Sequence, residues 1–292
     1  MNPVIMHANY GECRYDTFGN NTVDDICRMA AELGFDGIEF RSTPPKEFKQ
    51  MPFPEFMALI KAGKEKYGLS TLIFGVSVAN ATSEDKELRA ASIKTAIEKA
   101  RTVNDLFGTT LCNTCMSMIR NPDAPRGDVT QHGSAAATQE QWDLGVDSYQ
   151  QLSKAIEPLG MKFAFETHMN YIHDLPQPTK KLVDLIGCDN IGINMDYGNT
   201  VYFPGAPSVE ETIDIYGDKL FYTHLKSSVA VAGGRLATAL SQGEIDHRTY
   251  LKKLKAVGFD GPIGIEATRP GDRYWYAKED LEYFKAVRRA IG

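Results

Sequence analysis

The chain has 292 residues, of which 42% are hydrophobic and 24% are charged, so it can bury one large core or two small ones. Its formal net charge of −6 argues against a nucleic-acid-binding protein, which needs a basic surface, and no apolar run reaches the ~18 residues of a membrane span. The first ten residues lack a signal-peptide pattern, and the odd number of cysteines, five, fits reduced thiols better than disulfides. We therefore predict a cytoplasmic protein that binds neither nucleic acid nor membrane.

Short β-type runs alternate with amphipathic helical runs along the whole chain. The runs predicted as strands are 3–9, 36–41, 70–78, 109–115, 162–167, 191–196, 220–225 and 262–267. Each strand is followed by a predicted helix, and these helices cover 22–33, 55–66, 83–107, 139–159, 179–186, 208–216, 246–257 and 277–291.

Strands that are each followed by a helix, eight times over, match the count of a (β/α)₈ barrel. A doubly wound sheet shares the alternation but usually has fewer strands. The tetrapeptide Gly-Phe-Asp-Gly occurs at 34–37 and at 258–261, each time between a predicted helix and a strand that carries a glutamate, which indicates a repeated unit. No linker or composition break interrupts the pattern. We predict an α/β fold, a single (β/α)₈ TIM-barrel domain over residues 1–292.

Two long polar segments interrupt the regular spacing of the predicted elements. The first, 116–138, follows strand four and is rich in Asp, Gly, Ser and Thr, and the second, 227–244, follows strand seven. Loops this long inside a compact domain are often lids or binding loops. We therefore expect both segments to border a functional site.

Four polar residues end four consecutive predicted strands: Glu166, Asp196, His224 and Glu266. In a barrel, the carboxyl ends of the strands surround one opening, where active sites lie. Three carboxylates beside an imidazole would repel one another without a cation, so the pattern predicts one bound divalent metal ion. Oxygen donors with one nitrogen suit Mn²⁺, the leading candidate, or Mg²⁺ or Co²⁺. The alternative is four unrelated surface charges at neighbouring helix ends.

Further candidates lie on the same faces of these strands, since residues two apart point to one side. His168 follows Glu166 and Lys226 follows His224 at this spacing, so both could contact a substrate hydroxyl or carbonyl. Glu39 could bind a hydroxyl or orient an inner residue, although an interior salt bridge to Arg41 is an equal alternative.

The remaining candidates lie in loops or on the first strand. His132, in the segment 116–138, could be a base carried by a lid or an ordinary solvated histidine. Arg269 could hold a substrate oxygen or pair with a neighbouring acid. His7 and Asn9 could face inward from strand one.

At these residues the sequence resembles the xylose-isomerase-like barrels, a superfamily of sugar isomerases, ketose 3-epimerases, inosose dehydratases and hydroxypyruvate isomerases. The resemblance rests on Glu166, on Asp-Tyr-Gly-Asn at 196–199, on His-Leu-Lys at 224–226, and on Gly-Glu-Ile-Asp at 243–246 leading to Glu266. It implies metal ligation by the four strand-end residues, a small carbohydrate substrate that Asn199 would help to bind, and a homo-oligomer.

Two positions depart from the pattern of the ketose 3-epimerases. That group typically has a histidine shortly after the strand-six aspartate, where this chain has Tyr197, and an arginine soon after the strand-seven histidine, where it has Lys226. Dehydratases and the metal-dependent lyase subunits that cleave 3-keto-glycosides or C-glycosides therefore stay open as relatives. A lyase of that kind would need a partner subunit.

The leading hypothesis is a metal-dependent isomerase or epimerase of a small keto sugar, in which Glu166 and Glu266 move a proton through an enediolate. The alternative is a lyase or dehydratase of a keto sugar, ketoinositol or keto-glycoside, in which His132 or His168 assists the leaving group. A repair endonuclease on the same barrel would need more histidines than the six present. A non-catalytic barrel subunit would have no reason to keep a full set of ligands.

Overall fold

The computed structural model of the protein describes residues 3–6, 23–42, 51–266, 269 and 272–292. The candidates His7 and Asn9 lie outside these residues, as does the end of predicted strand eight at 267. The strands of the described residues are β1 (Pro3–Met6), β2 (Gly37–Arg41), β3 (Thr71–Gly75), β4 (Leu111–Thr114), β5 (Lys162–Glu166), β6 (Ile191–Asp196), β7 (Leu220–Leu225), β8 (Ser227–Val231), β9 (Gly234–Thr238) and β10 (Ile263–Ile265).

Eight of these described strands form a closed barrel in the hydrogen-bonded order β1, β10, β7, β6, β5, β4, β3, β2. Neighbouring strands run parallel, with Ile5 opposite Ile38 and Phe165 opposite Ile193. Parallel neighbours require a crossover between successive strands, and helices provide it here. The predicted fold class, an α/β barrel of the TIM type, is confirmed. That the whole chain forms one domain stays a prediction.

The helices lie between the strands and after the last one. They are α1 (Val23–Leu33), α2 (Phe53–Tyr67), α3 (Lys86–Phe107), α4 (Gln139–Ile156), α5 (Pro176–Ile186), α6 (Tyr197–Thr200), α7 (Val209–Tyr216), α8 (His247–Ala256) and α9 (Arg273–Ala290). Among the described helices, none combines the length and the apolar character needed to cross a membrane.

Helix starts differ from the prediction where a polar side chain caps the helix. The predicted starts at 208 and 246 are caps outside the helix, because Ser208 and Asp246 accept hydrogen bonds from main-chain N–H groups of the first turn. The last helix begins at Arg273, four residues before the predicted start at 277, because Asp272 accepts a hydrogen bond from the Trp275 N–H.

The segment 227–244 differs most from its prediction as a long loop. Residues Ser227–Val231 and Gly234–Thr238 pair antiparallel as a two-stranded hairpin. Arg235 of β9 forms an ion pair with Glu244 and donates to the Ser228 hydroxyl. The hairpin was missed because only Ala232 and Gly233 separate its two strands, and the surrounding polar residues are typical of a loop.

Residues 76–223 form one compact unit of the chain. Its core lies between β4, β5, β6 and α4, where the Tyr149 and Phe165 rings have centroids 4.5 Å apart. The Tyr149 hydroxyl lies 2.7 Å from the Thr114 hydroxyl and donates to the Cys115 carbonyl. These bonds attach α4 to the end of β4.

Residues 1–75 and 224–292 form the other compact unit. In its core, Phe40 of β2 packs edge-on against Phe56 of α2 and stacks with Phe74 of β3. Gly37 begins β2, and a Cβ there would lie 1.7 Å from the Thr71 carbonyl oxygen. The glycine therefore permits the close approach of β2 and β3.

Candidate metal centre

Three of the four predicted ligands come together at the ends of consecutive strands. Glu166 ends β5, Asp196 ends β6 and His224 lies near the end of β7. One ligand atom from each side chain lies within 4.8 Å of the other two. Asp196 and His224 are fully buried and Glu166 is 9% exposed. One nitrogen and two oxygen donors at this spacing suit a hard divalent cation.

Amide side chains hold the Glu166 carboxylate. Asn113 of β4 donates from Nδ2 to Oε2 at 2.9 Å, and Asn199 of α6 approaches Oε1 at 3.5 Å. Asn194 of β6 donates in turn to the Asn113 side-chain oxygen at 3.1 Å. This series of amides fixes the direction of the carboxylate, but it leaves its negative charge in place, because amides are neutral.

Asp196 serves both as the last residue of β6 and as the N-cap of α6. Its Oδ1 accepts from the Asn199 main-chain N–H at 3.2 Å, and its Oδ2 accepts from the Asn199 side chain at 2.8 Å. A carboxylate at a helix N-terminus is stabilised by the N–H groups directed at it. Asn199 was predicted to bind substrate, and its side chain here also donates to the Thr167 carbonyl.

Glu39, for which the sequence left a hydroxyl, an inner residue or Arg41 as partners, contacts the inner residue His224. The Glu39 Oε2 lies 2.8 Å from the His224 Nε2, and both side chains are buried. A carboxylate that accepts the proton of one ring nitrogen fixes the imidazole tautomer, which leaves the other nitrogen as the one able to bind a metal. Glu39 is thus placed to orient His224.

Glu266, predicted as the fourth ligand, is not in the group formed by Glu166, Asp196 and His224. It follows β10, and its Oε2 lies 2.9 Å from the Lys226 Nζ. The Glu266 main-chain N–H donates to the Leu225 carbonyl at 2.9 Å. The structure therefore joins two predicted site residues, Lys226 and Glu266, as an ion pair.

His168 and His132 occupy different surroundings. His168 is half-buried beyond the end of β5, with its ring edge-on to Tyr171. His132 is 1% exposed, accepts from the Asn121 main-chain N–H at Nδ1, and lies 3.1 Å from the Pro125 carbonyl at Nε2. The alternative of an ordinary solvated histidine at 132 is therefore wrong.

Arg269 pairs with neighbouring acids, which is one of the two alternatives read from the sequence. Its guanidinium donates to Glu279 at 2.7 Å and to Asp280 at 2.9 Å, and it lies over the Tyr276 ring. Burial raises the pKa of Asp280 to about 6. These contacts attach Arg269 to α9, and a substrate contact by Arg269 stays a prediction.

Sequence reasoning missed the polar residues that surround Glu166. Asn113 and Asn194 lie inside buried strands, and His173 and Asp174 lie in the loop after β5. Strand parity offered one signal, since Asn194 is two residues before Asp196 and so shares its face. Burial lowers the pKa of His173 to about 4 and raises that of Asp174 to about 6.

The sequence matches the family model of the xylose isomerase-like TIM barrels over residues 27–287. The chain belongs to this family. A curated relative is the inosose isomerase of Bacillus subtilis, which is 28% identical over 147 residues. That match covers 48% of this chain and 52% of the relative, so the chain spans about half the length of the curated relative that it matches.

Three solved structures share the fold over nearly the whole chain. The D-allulose 3-epimerase of Methylomonas sp. has a TM-score of 0.73 at 18% identity and covers 98% of each chain. The probable 3-DHS dehydratase AsbF of Bacillus anthracis has a TM-score of 0.71 at 17% identity and covers 98% of this chain and 99% of its own. A family member of Mycobacterium smegmatis in complex with magnesium has a TM-score of 0.74 at 16% identity and covers 99% and 97%. At these identities the likeness shows the fold alone.

Proposed function

We propose that the protein is a divalent-metal-dependent isomerase or epimerase that acts on a small keto sugar. The observation that carries the proposal is the group formed by Glu166, Asp196 and His224, whose ligand atoms lie within 4.8 Å of one another at three consecutive strand ends. Members of the fold that are named as a sugar epimerase and an inosose isomerase support this reaction class.

The donor set fits a divalent ion of the Mn²⁺, Mg²⁺ or Co²⁺ type, since it offers carboxylate oxygens and one imidazole nitrogen. Glu166, Asp196 and His224 would hold the ion, with Glu266 as a fourth ligand. When bound, the ion supplies positive charge that stabilises negative oxygen on the substrate. Mn²⁺ is the leading candidate, and the magnesium complex of the Mycobacterium smegmatis protein supports a metal of this class.

Two carboxylates are proposed to move the proton. A carboxylate oxygen of Glu166 or Glu266 takes the proton from the carbon beside the substrate carbonyl, and the electrons of that C–H bond form the double bond of an enediolate. Return of a proton to the opposite face gives an epimer, and return to the neighbouring carbon gives an isomer. Lys226 Nζ, 2.9 Å from Glu266, would donate to a substrate oxygen, as would His168.

Deuterium exchange tests the proposal directly. The protein is loaded with Mn²⁺ and incubated in D₂O with ketoses, ketoinositols and 3-keto-glycosides, and the metal is chelated before NMR spectra are recorded. We expect deuterium at a carbon beside the carbonyl of one compound, and loss of this exchange in Glu166→Gln and Glu266→Gln. Glu65→Gln, on an exposed helix position, is the matched control. A wild type that binds one metal ion but exchanges none of these compounds would contradict the proposal.

A lyase or dehydratase is the second candidate, because a dehydratase shares the fold over 98% of the chain. Its reaction begins with the same proton loss, but the electron pair then expels a leaving group from the β-carbon. His132 would have to give up both main-chain contacts to assist, whereas His168 is half-buried and closer to solvent. An unsaturated ketone among the products of the same incubation would favour this candidate.

Three further expectations accompany the proposal. We propose a small carbohydrate as the binding partner and a homo-oligomer as the assembled form, with a second subunit if the protein is a lyase. We also expect a cytoplasmic location.

A further inference from the structure

We infer that His173 is a positioning residue that fixes the main chain of Glu166 and attaches the segment 116–138 to it. This inference rests on the proposed function only where it concerns metal binding. His173, the Glu166 carbonyl and the Met116 N–H together form what we call the His173 clasp.

Both ring nitrogens of His173 bond to main-chain groups. The Nδ1 lies 2.6 Å from the Glu166 carbonyl oxygen, and the Nε2 lies 3.0 Å from the Met116 nitrogen. A carbonyl can only accept and a main-chain N–H can only donate, so Nδ1 carries the proton and Nε2 is the acceptor. The clasp therefore specifies one neutral tautomer.

Two aromatic side chains pack against the His173 ring. His173 is fully buried, with the Tyr171 ring stacked at 5.1 Å and an interplanar angle of 20°, and with Phe165 at 5.1 Å. A buried ring packed against two aromatic side chains has little freedom to turn. The orientation that serves both hydrogen bonds is thus fixed by packing.

The two segments that the clasp joins are also linked by main-chain bonds. The Ile119 N–H donates to the Asn170 carbonyl, and within the loop after β5 the His168 N–H donates to the His173 carbonyl. Asn170 has a φ of 69°, a left-handed conformation that asparagine tolerates better than most residues. The segment 116–138 is therefore attached along its first residues rather than free at its base.

A second set of contacts continues this attachment toward His132. The Gly133 N–H donates to the Ile119 carbonyl, and the Ser134 N–H donates to the Asp174 carboxylate at 3.0 Å. Gly133 has a φ of 58°, and a Cβ there would lie 2.1 Å from Asp174 Oδ2. Only glycine allows this close passage. A displacement of His173 is therefore expected to disturb the 116–138 segment near Ile119 and near Gly133.

The His173 clasp acts on the proposed metal ligand Glu166. Glu166 is the last residue of β5, so its carbonyl lies at the end of the strand. Partners that hold a ligand from outside the coordination sphere commonly change metal affinity by 10–100-fold when they are removed. The His173 clasp is such a partner, because it fixes the backbone from which the Glu166 carboxylate extends.

The molecule contains a matched control for this role. His247 of α8 is also buried, and its ring stacks on Tyr250 at 6.3 Å. Its two ring nitrogens have no hydrogen-bond partner among the described residues. Substitution of His247 therefore disturbs packing to a similar degree without breaking a bond to a ligand residue.

Two substitutions separate the two bonds of the clasp. An asparagine amide nitrogen can take the place of Nδ1 and keep the bond to Glu166, and a glutamine amide oxygen can take the place of Nε2 and keep the bond to Met116. We expect His173→Gln to weaken Mn²⁺ binding about tenfold. We expect His173→Asn to keep the affinity within about threefold and to speed hydrogen exchange at 116–119. His247→Asn and His247→Gln should lower the melting temperature and change neither readout.

Two outcomes would overturn the inference. One is wild-type Mn²⁺ affinity in both His173 variants, and the other is a loss of affinity in the His247 variants that matches their loss of melting temperature. The ring tautomer gives a test in the unaltered protein, since long-range ¹H–¹⁵N NMR must show the proton on Nδ1, and a proton on Nε2 would contradict the clasp. If the wild type binds no divalent ion, the proposed function fails, while the tautomer and hydrogen exchange still decide the inference.

Discussion

The two compact units of the chain hold their buried polar groups by different chemistry. In residues 76–223, the Glu166 carboxylate accepts from Asn113 and Asp196 accepts from Asn199, both of them neutral amides. In the other unit, Glu39 contacts His224 and Glu266 contacts Lys226. Amides direct a carboxylate and preserve its charge, whereas the Lys226 ammonium compensates the charge of Glu266.

This difference indicates which carboxylates are expected to bind a cation. Buried carboxylates that keep their charge favour a bound cation, because burial of an uncompensated charge is costly. The residues held by amides are therefore the ones we expect to contribute most to metal binding. In the two pairs of the other unit, Glu39 is expected to orient His224, and Lys226 is expected to contact substrate.

The largest effect is expected from removal of a carboxylate ligand. Asp196→Asn should lower Mn²⁺ affinity by more than about 100-fold, above the range for partners outside the coordination sphere. Isothermal titration of the metal-free protein with Mn²⁺ measures this. Asp184→Asn, on the exposed end of α5 where Asp184 pairs with Lys180, is the control. A Mn²⁺ affinity equal to that of the wild type would contradict the role of Asp196 as a ligand.

A smaller effect is expected from the amides that hold Glu166. Asn113→Ala removes the donor to Glu166 Oε2 and leaves Asn194 without its acceptor. We expect a 10–100-fold loss of Mn²⁺ affinity and destabilisation of about 1–3 kcal/mol. Asn104→Ala on α3, which removes a side-chain hydrogen bond to the Thr109 carbonyl, serves as the control. Equal affinity in the two variants would mean that the amides only stabilise the fold.

Glu39, which contacts His224 in the other unit, should contribute less to metal binding than Asp196. Glu39→Gln keeps an acceptor for the His224 Nε2–H but removes the negative charge, so the ring orientation is retained. We expect about a tenfold loss of metal affinity with little change in melting temperature. A loss as large as that of Asp196→Asn would show that Glu39 itself binds the ion.

The smallest effect is expected on the pH dependence of stability, through the buried His247 of the unit formed by residues 1–75 and 224–292. Burial lowers the pKa of His247 to about 4, whereas an unfolded histidine titrates near its usual value of 6.5. As the pH falls from 7.5 to 5.5, the unfolded chain therefore binds a proton that the folded chain does not, and stability decreases. We expect this decrease to be smaller by about 1 kcal/mol in His247→Phe, measured by urea unfolding at both pH values. Equal decreases in the variant and the wild type would contradict the assignment.

The barrel and the strand-end residues that come together could be predicted from the sequence. Alternation of strand and helix periods reports local geometry, so the barrel class could be predicted before any contact was known. Glu166, Asp196 and His224 could be chosen because charged residues at the ends of buried runs violate the hydrophobic pattern. The hairpin of β8 and β9 was missed, since short polar strands carry a weak periodic signal.

The partners that hold those side chains became known only from the folded structure. Asn113 reaches Glu166 across 53 residues of chain, and Glu39 reaches His224 across 185. A buried asparagine or histidine has the same local sequence signal whether it packs, caps or orients a ligand. Its partner depends on the register of the strands and on the conformation of the loops. The physical reason is that hydrogen bonding is short-ranged in space and unrelated to distance along the chain.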